Sequence, residues 1–227
     1  MTTIITTELS PVATSAPAPS TAASGALRPW HRGALVAASA AWSAVALAHP
    51  MGGNGTVHEA LRNDVALWIG VHLAQLVLSV ALAAGLWASV RGLRSPAARL
   101  ARASIPVYLV FFAAFDSIVG IATGLTVHHA NSTTGATRQG AISTADYLMS
   151  NPVAGNWGIL PGVSHVAMIG AIVGTGMALR KAGAARAAWA PLLVGVLLAT
   201  HAGPMAAVGV LGLAVGLDRS LRPGVSP

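Results

Sequence analysis

Beyond residue 27 the chain alternates long continuous apolar runs with short polar breaks. Five such runs stand out, at 33–49, 64–90, 104–128, 158–180 and 187–217. All but the first approach or exceed the ~20 residues a helix needs to cross a ~30 Å hydrocarbon core. The runs do not alternate with period two, which excludes the strands of a membrane barrel. They predict an all-α, polytopic membrane bundle of about five transmembrane helices. Residues 1–27 are mostly Thr, Ser, Ala and Pro with no apolar period, so a disordered cytoplasmic tail is expected there. The bundle then occupies 28–222, and 223–227 form a short C-terminal tail.

Composition agrees with the pattern. Of the 227 residues 54% are hydrophobic and 8% charged, against about a quarter charged in soluble domains. The formal charge is +7, but the chain is too apolar for a nucleic-acid binder. The absence of cysteine removes disulfides, thiolate nucleophiles and Cys-ligated metal sites.

Basic residues orient the runs. Arg28 and Arg32 precede the first, Arg91, Arg94, Arg99 and Arg102 fill the second connection, and Arg180, Lys181 and Arg186 fill the fourth. The positive-inside rule assigns these nine to the cytoplasm. Loops 50–63 and 129–157, with Arg62 and Arg138, then face outward at the cell membrane. A single fifth span would also place Arg219 and Arg222 outside. That run is about 31 residues long and broken by Thr200-His201-Ala202-Gly203-Pro204. A kinked, tilted span is the first reading, and a re-entrant pair returning both ends to the cytoplasm is the second.

The first run also resembles a signal peptide ending in Ala46-Leu47-Ala48. Its long leader favours a retained span; cleavage would leave four helices and expose His49 as an N-terminus able to chelate copper. Gly120-x-x-x-Gly124, Gly170-x-x-x-Gly174 and Gly212-x-x-x-Gly216 supply small-residue contacts for close packing.

Ionisable groups inside a bilayer tend to mark function. They are His72, Asp116, His165 and His201. Counting ~1.5 Å per residue from the run ends places His72 about 12 Å, His165 about 10 Å and His201 about 9 Å below the outer boundary, with Asp116 near the midplane. Asp64, Trp68, His72, Gln75 and Ser79 share one face of the second span, and Asp116, Gly120 and Thr123 one face of the third. Met168 and Met205 follow His165 and His201 at helical spacing; a His/Met set suits haem iron or Cu(I), although Met is also an ordinary core filler.

His49, His58, His128 and His129 border the same outer face and add candidate metal ligands, foremost His49, His58 and His128. Trp157 and Trp189 fit membrane interfaces, and Trp30 and His31 the cytoplasmic boundary. Met51-Gly52-Gly53-Asn54-Gly55 lacks the strand-to-helix setting of a phosphate cradle. The sequons at Asn54 and Asn131 mean little in Ala- and Arg-rich usage of a high-GC bacterial kind. The 129–157 connection is long enough for a lid over the histidines.

Three functions are compatible with this. The first is a redox or anchor subunit holding a b-type haem, or copper, through His72, His165 and His201. The second is a non-catalytic bundle supporting a membrane-protein partner or a second copy of itself. The third is a small permease or channel using Asp116 and the polar face of the second span. Whether the chain is an enzyme stays open at this level.

Overall fold

The computed structural model describes residues 29–50 and 55–222. The expected tails at 1–27 and 223–227, the Met51 to Asn54 part of the glycine-rich loop and the His31 side chain lie outside the described residues. Regular structure among those described is entirely helical. The helices are α1 (Pro29–Ala48), α2 (Val57–Leu61), α3 (Val65–Val90), α4 (Pro96–Phe115), α5 (Thr123–Ser132), α6 (Gly135–Ser150), α7 (Ile159–Lys181), α8 (Arg186–Val194) and α9 (Gly203–Ser220). A π-helical turn, Asp116–Ala122, joins α4 to α5 without a break, and a 3₁₀ segment, Gly195–Thr200, extends α8.

Three of these helical units are long and apolar enough to cross a membrane: Val65–Val90, Pro96–Ser132 and Ile159–Lys181. The distribution of exposure on α3 is consistent with a bilayer as their solvent. Trp68, His72, Gln75 and Ser79 are at most 4% exposed, whereas Leu73, Val77 and Val80 are 49%, 71% and 57% exposed. A helix that hides its polar face and presents its apolar one is inverted relative to a water-soluble protein. In lipid the same arrangement satisfies both faces.

Local sequence sets the helix ends. Ser95 caps α4 by accepting from the Ala98 N–H at 3.2 Å, with Pro96 in the first turn. Arg102 closes the C-terminal end of α3, donating to the carbonyls of Val90 (2.7 Å) and Leu93 (2.8 Å). In the short α2, Thr56 and Glu59 form a reciprocal capping box, and the Thr56 N–H holds the Glu59 carboxyl below its ordinary range.

The last apolar run departs from a single kinked span. Cβ positions built on Gly209, Gly212 and Gly216 would meet Leu198, Val194 and Leu192 respectively, so the pairing runs backwards along the chain. Residues 186–220 therefore fold as an antiparallel helical hairpin whose tip is Thr200–Gly203. Its arms are about 25 Å and 27 Å long from their residue counts, just short of a ~30 Å core. Arg32 bonds Asp218 at 2.6 Å, and Ser89 Oγ lies 3.4 Å from Ser220 Oγ. Both contacts bring the end of α9 to the start of α1 and the end of α3. The single-span placement of Arg219 and Arg222 beside Arg62 and Arg138 is thus corrected: they join the other basic clusters at one end of the bundle. The break at residues 200–204 is a reversal of direction, as in the re-entrant alternative.

The α1 helix is built into the bundle. Trp42 and Ala46 are fully buried, Ser43 Oγ donates to Ala207 O at 3.3 Å, and α1 packs along α9 and α3. The long 129–157 connection is also largely helical. The chain turns from α5 into α6, and α6 packs back against α5 and α2. Asn151 then folds the turn before α7, donating to Leu148 O at 2.9 Å and accepting from Ala154 N at 2.7 Å. All three small-residue pairs lie at helix contacts. Gly120 and Gly124 face His72, Trp68 and Ile69; Gly170 and Gly174 face Ser104 and the α4 backbone; Gly212 and Gly216 face α8.

Candidate functional site: a histidine layer over Asp116

Four imidazoles gather where the end of α1, α3, α7 and the tip of the α8–α9 hairpin meet. His49 follows the last residue of α1, and its ring centroid lies 5.0 Å from that of His72 on α3 and 5.6 Å from that of His201 at the hairpin tip. His165 on α7 stacks on His201 at 6.4 Å. Trp68 packs against His72 at 4.4 Å and His49 at 5.0 Å, and Phe115 meets His201 edge-on at 5.7 Å. The common depth inferred for His72, His165 and His201 thus corresponds to one connected layer of rings. His49 completes it.

Hydrogen bonds fix the tautomers of two of these rings. His72 Nδ1 lies 2.7 Å from Trp68 O, and His49 Nδ1 lies 2.9 Å from Pro50 O. A carbonyl oxygen only accepts, so in both neutral rings Nδ1 carries the proton and Nε2 presents a lone pair. His72 Nε2 looks toward Asp116 Oδ1 at 3.9 Å, beyond hydrogen-bond range. His49 Nε2 is buried with no hydrogen-bond partner in the protein.

Asp116 opens the π-helical turn and is 0% exposed. Neither carboxylate oxygen has a hydrogen-bond partner. A π turn inside an α-helix displaces side chains from the regular register and recurs at functional sites. Here its Gly120 carbonyl accepts from Trp68 Nε1 at 2.7 Å, and the bare Cα of Gly120 leaves the space that the His72 ring fills. The turn, Trp68 and His72 are therefore interlocked.

At the hairpin tip His201 adopts φ 46°, the left-handed region that a residue with a Cβ seldom enters. Gln75 Nε2 donates to His201 O at 3.0 Å and ties the tip to α3. The Gln75 Oε1 atom is buried and unpartnered. Backbone strain of this kind persists where surrounding contacts hold it, and such positions cluster at working sites.

The remaining candidates lie apart. His58 is buried in the outer connection, with Nε2 3.0 Å from Asn131 Oδ1, a bond that ties α2 to the end of α5. His128 and His129 are exposed on α5, and Asp64 is exposed at the start of α3. The trio His49, His58 and His128 is therefore not assembled into one group. Met168 belongs to the apolar core and Met205 is 58% exposed, so neither thioether joins the ring layer. Among the described residues no group of three or more His, Asp or Glu side chains is placed to hold a metal ion.

Comparison with protein-family models, curated proteins and solved structures finds no match. The chemistry of the layer has to be argued from its own residues.

Sequence reasoning missed two parts of this arrangement. His49 was grouped with the loop histidines His58 and His128 at the outer face, whereas it joins the ring layer of His72, His165 and His201. The π turn left no signal beyond the buried polar face of Asp116, Gly120 and Thr123.

Proposed function

We propose that this chain is a multi-pass cell-membrane protein in which Asp116, beneath the four-histidine layer, exchanges protons as a small solute or ion passes through the bundle. The observation that carries this reading is the Asp116 carboxyl group: fully buried, unpartnered at both oxygens and 3.9 Å from a histidine nitrogen that can accept a proton. An ionised carboxylate left alone in a hydrocarbon-embedded interior is very unfavourable, so the group must gain a proton or a cation, and losing it again is the elementary step of a coupled transporter. The proposed architecture has four spans, α1, α3, the α4–α5 unit and α7, with the α8–α9 hairpin as a fifth, re-entrant element. Its basic end faces the cytoplasm.

Reconstitution into vesicles loaded with a pH-sensitive dye tests the reading. Wild-type protein should dissipate an imposed pH gradient, and Asp116→Asn should abolish that flux while leaving the thermal midpoint in detergent near wild type. Unchanged flux in the variant overturns the proposal.

A second reading, a b-type haem or copper held by His72, His165 and His201, is favoured by the meeting of imidazoles from separate segments. Against it stands the ring-on-ring packing, which occupies the layer a macrocycle would have to enter. No step is derived through either cofactor. A Soret band or stoichiometric copper in purified protein, lost in His72→Ala and His165→Ala, would establish this reading instead.

A further inference from the structure

The unpartnered atoms of Asp116, Gln75 and His49 are of one chemical kind. Asp116 Oδ1 and Oδ2, Gln75 Oε1 and His49 Nε2 are buried without partners, and the His72 Nε2 lone pair has Asp116 as its ionisable neighbour, itself an acceptor. All are hydrogen-bond acceptors, by side-chain chemistry for Asp116 and Gln75 and by fixed tautomer for the two histidines. Four donors in the same layer are already used: Trp68 Nε1 on Gly120 O, Gln75 Nε2 on His201 O, and the Nδ1–H groups of His49 and His72 on carbonyls. Of the other buried atoms without partners, Trp42 Nε1 lies beside Phe112 and Arg32 Nε at the basic end, while the Tyr108 hydroxyl on α4 and the Ser164 hydroxyl on α7 can donate as well as accept.

A buried set of acceptors is completed by a ligand that brings several N–H or O–H donors. The carboxylate asks that this ligand carry positive charge, and the aromatic rings of Trp68 and Phe115 border the same layer. We infer that the layer is a binding site for a small protonated amine, ammonium or a primary alkylammonium, held by N–H donation to Asp116 and to acceptors among Gln75, His49 and His72. The inference rests on the proposed role of Asp116 and names the solute that passes with the proton.

Thermal unfolding in detergent at constant ionic strength tests binding directly. Methylammonium chloride should raise the midpoint saturably. Potassium chloride and tetramethylammonium chloride should not, since neither cation has an N–H to donate. Asp116→Asn and, independently, His49→Phe should each weaken the apparent methylammonium affinity about tenfold or more, the expected effect of losing a charged or buried hydrogen bond. His49→Phe keeps a ring in the layer, so a purely structural histidine would leave the affinity unmoved. An equal response to tetramethylammonium, or none to methylammonium beyond that of potassium, overturns the inference. Proton flux in vesicles is read separately: flux that depends on Asp116 without methylammonium binding leaves the proton reading standing and removes only the ligand.

Discussion

Gly120 shows how a single missing side chain can decide the geometry of a site. A methyl group there would overlap the His72 ring, which is itself pinned by its bond to Trp68 O and hemmed in by Trp68 and His49. Gly120→Ala should lower stability in detergent by about 1–3 kcal/mol, the usual penalty for overpacking, and should displace His72 from Asp116 with loss of proton flux. Gly70→Ala is the matching control. It lies exposed on α3 with nothing within 4 Å of its Cβ position, and removing a helical glycine should stabilise by about 0.5–1 kcal/mol. Thermal midpoints of the two variants should move in opposite directions. Most of the layer was legible in the sequence because charge and polarity inside a bilayer are expensive and therefore conspicuous. What the sequence could not show was which ring nitrogen is free. That depends on where the Trp68 and Pro50 carbonyls point once the helices have formed.

At the scale of elements, the hairpin of α8 and α9 carries His201 to the layer. Its arms approach closely along Gly209, Gly212 and Gly216, where backbone meets side chain without an intervening Cβ. A Cβ at Gly209 would come within 2.5 Å of Leu198 N, near the tip. Gly209→Ala should therefore push the arms apart, destabilise by about 1–3 kcal/mol and loosen the Gln75 bond to His201 O. Amide hydrogen exchange should rise in residues 198–204 and stay unchanged in α4 and α7. Exchange that rises uniformly, or not at all, would argue against a tip held by hairpin packing. The sequence contained the break at residues 200–204 but not its consequence. A proline preceded by glycine ends a helix equally well in a kinked span and in a reversal, and only the facing rows of small and large residues separate the two.

For the whole molecule, the hairpin changes what the charge pattern means. With α9 returned, ten of the twelve described basic residues stand at one end of the bundle, and Arg62 and Arg138 alone at the other. A single fifth span had left two arginines on the wrong side of an otherwise clean asymmetry. The re-entrant fold removes that conflict, which is a physical reason to expect the hairpin in the membrane as well. Because the chain contains no cysteine, topology can be read by introducing one thiol at a time without background. Arg94→Cys and Arg219→Cys occupy exposed positions at the basic end, and Arg138→Cys an exposed position at the other. In intact cells a membrane-impermeant maleimide should modify only the cysteine at 138. The other two should react only after the membrane is opened, and to a similar extent. Labelling of the 219 thiol from outside, together with that at 138, would show that the last run crosses the bilayer once. It would also carry His201 away from the depth at which His49, Gln75 and His165 meet it.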